Sequence, residues 1–365
     1  MDENEHPLLE ATTAAVPPLL TAIDILSHAG RHMHPPNIPQ LAEQIEPYRQ
    51  PLIDGLEVFN ATDWPEHLTG FAEVVAKAGS LCIQSFNDFL SAQNQSNATM
   101  AAYRAMGYNT KATEAVYPLT NMLPPVSRFF LHQEQREDQA LLAKLSAADS
   151  SREHVGVMHA SNAREERGGF SMYVPEYYDG EAVPLVVALH GGSGHGRSFL
   201  WTWIRTARSM NAIVISPTSR DGTWSLMGPD IDSENLAAMV EYAKANWTID
   251  PERVLLTGMS DGGTFSYVSG LQSDSPFTHL APSSASFHPM LADVADGERL
   301  SGLPIYLMHG ALDWMFPVDM ARSANEALSA AGAQVEYREI ADLSHTYPIE
   351  ENPRILKWLL GQDLD

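Results

Sequence analysis

An α/β domain with a mostly parallel sheet, preceded by an all-α region, is the fold class this sequence predicts, and three observations predict it. After residue 151, short apolar runs alternate with helical stretches, the pattern of a parallel sheet covered by helices on both faces. Before residue 146 only helical spacing occurs, interrupted by prolines. Residues 254–259 end abruptly in Gly258-Met259-Ser260-Asp261-Gly262-Gly263, which reads as a strand turning sharply into a helix. The expected domains are 1–150 and 151–365, divided at the polar break Ser146-Ala147-Ala148-Asp149-Ser150-Ser151.

In the first domain, residues 19–28 are apolar at helical spacing. Residues 71–90 form a longer stripe from Phe71, Val74, Val75, Ala78, Leu81, Cys82, Phe86 and Leu90. Residues 112–145 carry Met122, Leu123, Val126, Phe129 and Phe130, then a polar run, then Leu141, Leu142 and Leu145. Pro35, Pro36, Pro39, Pro47, Pro51 and Pro65 limit the pieces. Such a domain serves as a lid, an oligomerisation surface or a partner module. His32 and His34 lack the carboxylate or cysteine spacing of a metal site and read as structural.

In the second domain, residues 155–160 and 169–174 read as an antiparallel pair leading into 185–189. Strands at 212–216, 254–259, 304–310 and 335–340 come next, with a helix at 233–246. In an open parallel sheet the C-terminal strand ends share one edge, so residues distant in sequence converge there. Residues 286–304 leave little room for a large lid, so any cover comes from short loops or the N-terminal helices.

Three candidate residues sit at or just past such ends, in the order Ser260, Asp313, His345. Serine is a poor nucleophile at its free pKa. His345 would take its proton during attack and return it to the leaving group, while Asp313 would hold the imidazole tautomer. A tetrahedral oxyanion needs two backbone N–H donors, worth about 2.7–4 kcal/mol each. Asp261 supplies one, and the loop His190-Gly191-Gly192-Ser193-Gly194 the other, with Gly192 preferred and Gly191 second. Read singly, these are a turn serine, a cap aspartate and a loop histidine; jointly, in this order, they favour catalysis. Asp319 is the better helix cap, His190 and His309 hold strand ends, and Asp230 and Asp232 cap the helix beginning just after them.

These residues carry a resemblance. Residues from about 150 onward, roughly three-fifths of the chain, resemble an α/β-hydrolase through Leu189-His190-Gly191-Gly192, Gly258-Met259-Ser260-Asp261-Gly262-Gly263, His309-Gly310-Ala311-Leu312-Asp313 and Ser344-His345-Thr346. Within that superfamily they are most similar to phospholipase/carboxylesterases and polyhydroxybutyrate-depolymerase-like esterases. The resemblance implies an acyl-enzyme mechanism without cofactor or metal; the first 150 residues match no part of it.

The pocket candidates are Trp224, which comes directly after a strand, Phe199 and Trp201 after the glycine loop, and Trp314 beside Asp313. Apolar walls favour small-molecule or oligomeric esters, with short- to medium-chain acyl, aryl or polyester character, over charged peptides. A peptidase, amidase or thioesterase could use the same three residues. A different class of reading makes the helical domain a partner-binding module, or a route to homo-oligomers, with an accessory hydrolase.

A net charge of −24, spread over both regions, repels phosphate backbones and argues against nucleic acid as a partner. The single Cys82 cannot form an internal disulfide, which suits a reducing compartment. The acidic start lacks a basic n-region, and the sequence shows no apolar run of the ~20 residues a bilayer span needs. A cytoplasmic location is the expectation.

Overall fold

The computed structural model describes residues 5–149 and 151–364; the acidic start Met1-Asp2-Glu3-Asn4 and Ser150 of the polar break lie outside the described residues. Two compact units divide the chain, Met1–Phe130 and Leu131–Asp365. The junction falls earlier than the polar break because the segment from Leu131 onward is bonded into the second unit. The His132 N–H donates to Ser209 Oγ at 3.0 Å, and its ring Nε2 lies 2.8 Å from Thr206 Oγ1, both on the helix Ile204–Met210. The helix Gln139–Ala147 therefore groups with the second unit, where Lys144 lies over the Tyr177 ring.

The first unit is helical throughout its described residues. Its first helix, Glu5–Arg31, extends well beyond the expected 19–28 and runs through Pro17 and Pro18. A stripe of Ala11, Ala15, Val16, Leu19, Ala22, Ile23, Leu26 and Ala29 stays buried on both sides of the prolines, so packing overrides the lost hydrogen bonds. By length and composition, His6–Arg31 is also long and apolar enough to cross a membrane, which corrects the sequence expectation. Glu10 and Asp24 interrupt the apolar run without interrupting the helix.

Glycines let the helix Arg49–Asn60 pack close both to Glu5–Arg31 and to the helix Thr69–Ala92. A Cβ on Gly55 would lie 2.2 Å from Ala14 O, and one on Gly79 would lie 2.4 Å from Leu56 Cδ1. The helix Ala98–Val116 goes largely unannounced in the sequence. Its buried face is mostly alanine (Ala101, Ala102, Ala105, Ala112), too weakly apolar to stand out by periodicity. It is held by Ser85 Oγ donating to Ala105 O at 2.8 Å and by Asn109 donating to Ile23 O and Ser27 Oγ.

The second unit is built on an eight-stranded sheet in the order β1-β2-β4-β3-β5-β6-β7-β8. The strands are β1 Gly156–Ala160, β2 Phe170–Val174, β3 Val183–Leu189, β4 Ile213–Pro217, β5 Ile249–Met259, β6 His279–Ser283, β7 Pro304–Gly310 and β8 Gln334–Ile340. The pairs β1–β2 and β2–β4 are antiparallel, and every pairing from β4 across to β8 is parallel. All seven residues of β3 are buried, as a central strand covered on both faces requires. The strand β6 is not expected from the sequence. His279-Leu280-Ala281-Pro282-Ser283 is short, lacks β-branched residues and contains a proline, all marks of a loop. A buried pair, Arg208 and Glu176, meets at 3.2 Å, with Tyr173 OH donating to Glu176.

The register aligns the C-terminal ends. Leu189 faces Gly258, Gly258 faces Pro282, Ser283 faces Met308, and Gly310 faces Ile340. The loops leaving these strand ends share one edge of the sheet.

Candidate active site

Ser260 stands between β5 and the helix Asp261–Gly270 at φ 56°, ψ −120°, a backbone conformation costly for any residue with a side chain. The turn is held from both sides: its N–H donates to Ser283 O at 3.0 Å, and its carbonyl accepts from Thr264 N at 2.8 Å. The flanking glycines are required by close backbone approach. A Cβ on Gly258 would lie 2.6 Å from the Gly262 backbone. One on Gly262 would lie 2.5 Å from the Leu189 and His190 carbonyls, and one on Gly263 2.7 Å from Ser283 O. The first collision is within the elbow; the others are with β6 and the end of β3.

Asp313 and His345 come from the loops after β7 and β8. Those loops are laced together by Ala311 N donating to Ile340 O and Leu312 N donating to Leu343 O, both at 2.9 Å. Gly310 permits the approach, since its Cβ would lie 2.2 Å from Leu343 O. Asp313 Oδ2 accepts from His345 Nδ1 at 2.9 Å, and Asp313 Oδ1 accepts from the N–H groups of Met315 and Phe316. The His345 Nε2 lies 3.0 Å from Ser260 Oγ. Burial pushes the Asp313 carboxyl up, but the His345 hydrogen bond and charge, with the two backbone N–H donors, outweigh it and hold the group below its ordinary value. With Nδ1–H committed to the carboxylate, the Nε2 lone pair is left for the serine hydroxyl. The Phe316 ring meets the His345 imidazole edge-on, with centroids 5.3 Å apart.

His309 lies fully buried beside this chain, its Nε2 2.9 Å from Phe316 O and 3.5 Å from Asp313 Oδ2. Burial lowers its pKa, so it is a neutral neighbour that donates to Phe316 O and not an ion-pair partner.

The glycine loop after β3 is governed by His190. Ser219 N–H donates to His190 Nε2 at 3.1 Å, so the ring proton resides on Nδ1, which donates to Gly191 O at 2.7 Å. Gly194 N–H donates to the same carbonyl at 2.9 Å. Burial drives the His190 pKa down to about 3, keeping the ring neutral. The Gly191 carbonyl and the Gly192 N–H belong to one planar trans peptide and point opposite ways. Two donors on the first therefore aim the second. Gly191 itself lies beside Ser260, its ideal Cβ 3.5 Å from Ser260 Cβ.

The aromatic candidates divide. Trp224 is 3% exposed; its indole donates to His190 O at 2.7 Å and stacks on Phe265 at 5.5 Å. It buttresses the end of β3 and also edges a cavity of about 420 Å3 shared with Thr223, Ser225 and Met227. Phe199 is half-buried against Tyr347, two residues beyond His345, and Trp201 is half-buried in the next turn. Trp314 is 42% exposed beside Asp313, the most accessible of the four. Asp230 does cap the helix Ser233–Asn246, accepting from Asp232 N and Ser233 N. The buried Asp232 does not cap it. Its carboxylate instead holds the loop after β4, accepting from Arg220 N, Ser225 N and Ser225 Oγ. Asp319 is the first residue of the helix Asp319–Ala330 and pairs with Arg322, while Val318 occupies the cap position.

A further contact left no trace in the sequence. Thr223 Oγ1 donates to Asp261 Oδ2 at 2.5 Å, and that carboxylate rests against Gly192, whose Cβ would lie 2.6 Å from Oδ2. Nothing in the local pattern links residues 192, 223 and 261, because the contact is made by three different strand ends.

Residues 230–359 match a family model described as phospholipase/carboxylesterase. A bifunctional acetylxylan esterase/xylanase of Neocallimastix patriciarum is 26% identical over 182 residues, 49% of this chain and 26% of that protein. The chain therefore spans about a quarter of the length of that curated relative. Among solved structures, a thermostable esterase aligns at TM-score 0.46 and 20% identity, covering 56% of this chain and 62% of that one. Arabidopsis thaliana SOBER1 aligns at TM-score 0.41 and 20% identity, covering 49% and 99%. FphF, a fluorophosphonate-binding serine hydrolase of Staphylococcus aureus, aligns at 0.44 and 15%, covering 56% and 97%.

Proposed function

From a C-terminal unit whose residues 230–359 match phospholipase/carboxylesterases, we propose that the chain is a serine carboxylic-ester hydrolase working through an acyl-enzyme. The observation that carries this reading is the unbroken hydrogen-bond path from Ser260 Oγ through His345 to Asp313, at 3.0 and 2.9 Å. In this reading, Ser260 attacks the ester carbonyl while His345 Nε2 takes its proton. The imidazolium that forms is stabilised by Asp313, and it returns the proton to the departing alkoxide. Water then repeats the sequence against the acyl-enzyme and releases the acid.

The developing oxyanion is assigned to the N–H groups of Asp261 and Gly192, with Gly191 as the second choice in the loop. The first opens a helix, whose N-terminal dipole favours negative charge. The second is aimed by the clamp on the Gly191 carbonyl. Esters of short- to medium-chain acyl, aryl or polyester type are the assigned substrates. The acetylxylan esterase name of the curated relative adds acetyl esters to that range.

Labelling by a fluorophosphonate probe, followed by kcat/KM on matched p-nitrophenyl esters and anilides, tests the assignment. Labelling lost in Ser260→Ala, with esters turned over faster than anilides, is expected. Persistent labelling of the Ser260→Ala protein would overturn the choice of nucleophile, and faster anilide cleavage would replace esterase by amidase.

A further inference from the structure

The residue after the nucleophile carries a carboxylate that the acyl-transfer reaction does not require. Only the Asp261 N–H is used there, and a negative side chain beside a site where negative charge develops works against the chemistry. Its position is nonetheless closely built. The hydroxyl of Thr223 holds Oδ2 at 2.5 Å, and the side chain is half-buried. Among the described residues, no cation pairs with it. The carboxylate lies against Gly192, and the preceding Gly191 stands beside Ser260. Thr223, which anchors it, also lines a cavity of about 420 Å3 with Trp224, Ser225, Met227 and a second carboxylate, Asp221.

We infer that Asp261 is a charge filter for this site. It favours esters that present positive potential beside the reacting carbonyl, from a hydroxyl hydrogen or a cation, and rejects esters that present a carboxylate. This rests on the ester-hydrolase reading and specifies its substrate class. One oxygen of the carboxylate is held by Thr223, which fixes the group's direction. The other oxygen keeps acceptor capacity. A like charge brought to the same place meets a half-desolvated carboxylate, where repulsion exceeds its value in bulk water.

Three acetate esters differing only in the alcohol read this out on the full-length protein: monoacetylglycerol (hydroxyls), acetylcholine (a cation without donors) and O-acetylglycolate (a carboxylate). p-Nitrophenyl acetate serves as the neutral reference. Work at about 0.15 M salt screens the field of the distant surface and leaves the local charge. The wild type is expected to favour monoacetylglycerol over O-acetylglycolate by at least about tenfold in kcat/KM. Asp261→Asn keeps an acceptor for Thr223 but removes the charge, and is expected to shrink that ratio several-fold. The ratio is taken within one protein, so any change in the shared backbone donor cancels.

Acetylcholine separates the two sources of positive potential. Preference for it over O-acetylglycolate, lost in Asp261→Asn, shows attraction by charge alone. A preference confined to monoacetylglycerol shows hydrogen bonding; either supports the filter. Equal rates on monoacetylglycerol and O-acetylglycolate in the wild type overturn it without need of any variant, as does an unchanged ratio in a folded Asp261→Asn protein. If p-nitrophenyl acetate is hydrolysed without charge discrimination, only this inference falls. If no ester is hydrolysed and no probe labels Ser260, the underlying reading falls with it.

Discussion

Asp313 uses both of its oxygens at once: Oδ2 accepts from His345 Nδ1 at 2.9 Å while Oδ1 accepts from the backbone of Met315 and Phe316. The turn that a capping aspartate would make is thus the device that orients the imidazole. Asp313→Asn should keep the turn but can offer an N–H to Nδ1, which favours the wrong tautomer. On the proposed mechanism, a fall in kcat of about 10⁴-fold with little unfolding is expected, the loss seen for the corresponding change in Ser-His-Asp enzymes. Steady-state kinetics beside circular dichroism checks it; near-normal kcat would remove Asp313 from the mechanism. The depressed carboxyl also contributes stability that is complete above its unfolded value near ~3.9 and is lost as pH falls through its folded value.

In the proposed mechanism, His190 acts on the oxyanion side through the Gly191 carbonyl, to which its Nδ1 donates at 2.7 Å. Replacing it by leucine removes one of the two donors on that carbonyl and should lower kcat by about 10–100-fold, less than deleting an oxyanion donor outright, with KM moving little. Asparagine can place an N–H near the former Nδ1 and should restore part of the loss. Equal damage in both variants, or a change confined to KM, would reduce His190 to a packing residue.

Glycine substitutions separate close approach from helix propensity. Gly262→Ala should destabilise by about 1–3 kcal/mol, because its Cβ meets the Leu189 and His190 carbonyls at 2.5 Å. Gly107→Ala, on an exposed helix position with nothing within 4 Å, should stabilise by about 0.5–1 kcal/mol. Urea titration of both, with unchanged slope, decides it.

Burial holds four histidines of the second unit neutral: His132 and His279 at about 4, His190 at about 3, and His309 below its ordinary value. Unfolded, each binds a proton near ~6.5. Between pH 6.5 and 4 the unfolded chain binds more protons, so stability must fall as pH falls. The urea midpoint should drop steadily across that window, and His279→Gln should flatten the slope by up to about one proton. A midpoint independent of pH there would show these rings solvated in the fold.

How much was legible depended on whether the signal was local. The elbow announces itself because Gly258, Gly262 and Gly263 are each demanded within a few residues of Ser260, and seven of the eight strands carry apolar runs long enough to read. Strand β6 was missed because Pro282 and Ser283 mimic a loop, and the helix Ala98–Val116 because an alanine face gives little periodic contrast. Asp232 reads as a cap from its position, yet its partners Arg220 and Ser225 precede it in the chain.

The sequence by itself determined the class of the second unit and the chain order of Ser260, Asp313 and His345. Glycine at an elbow and apolar runs at strand spacing are constraints that neighbouring residues impose on one another. Only the tertiary structure decided that Asp313 both caps its turn and holds His345, that His190 clamps Gly191, that Trp224 buttresses β3, and that Thr223 anchors the Asp261 carboxylate against Gly192. The His345–Asp313, Trp224–His190 and Thr223–Asp261 bonds each join residues from different strand ends, and Ser219, from another strand end, sets the tautomer with which His190 holds Gly191. Such contacts arise from sheet register and close backbone approach, which no stretch of the chain encodes alone.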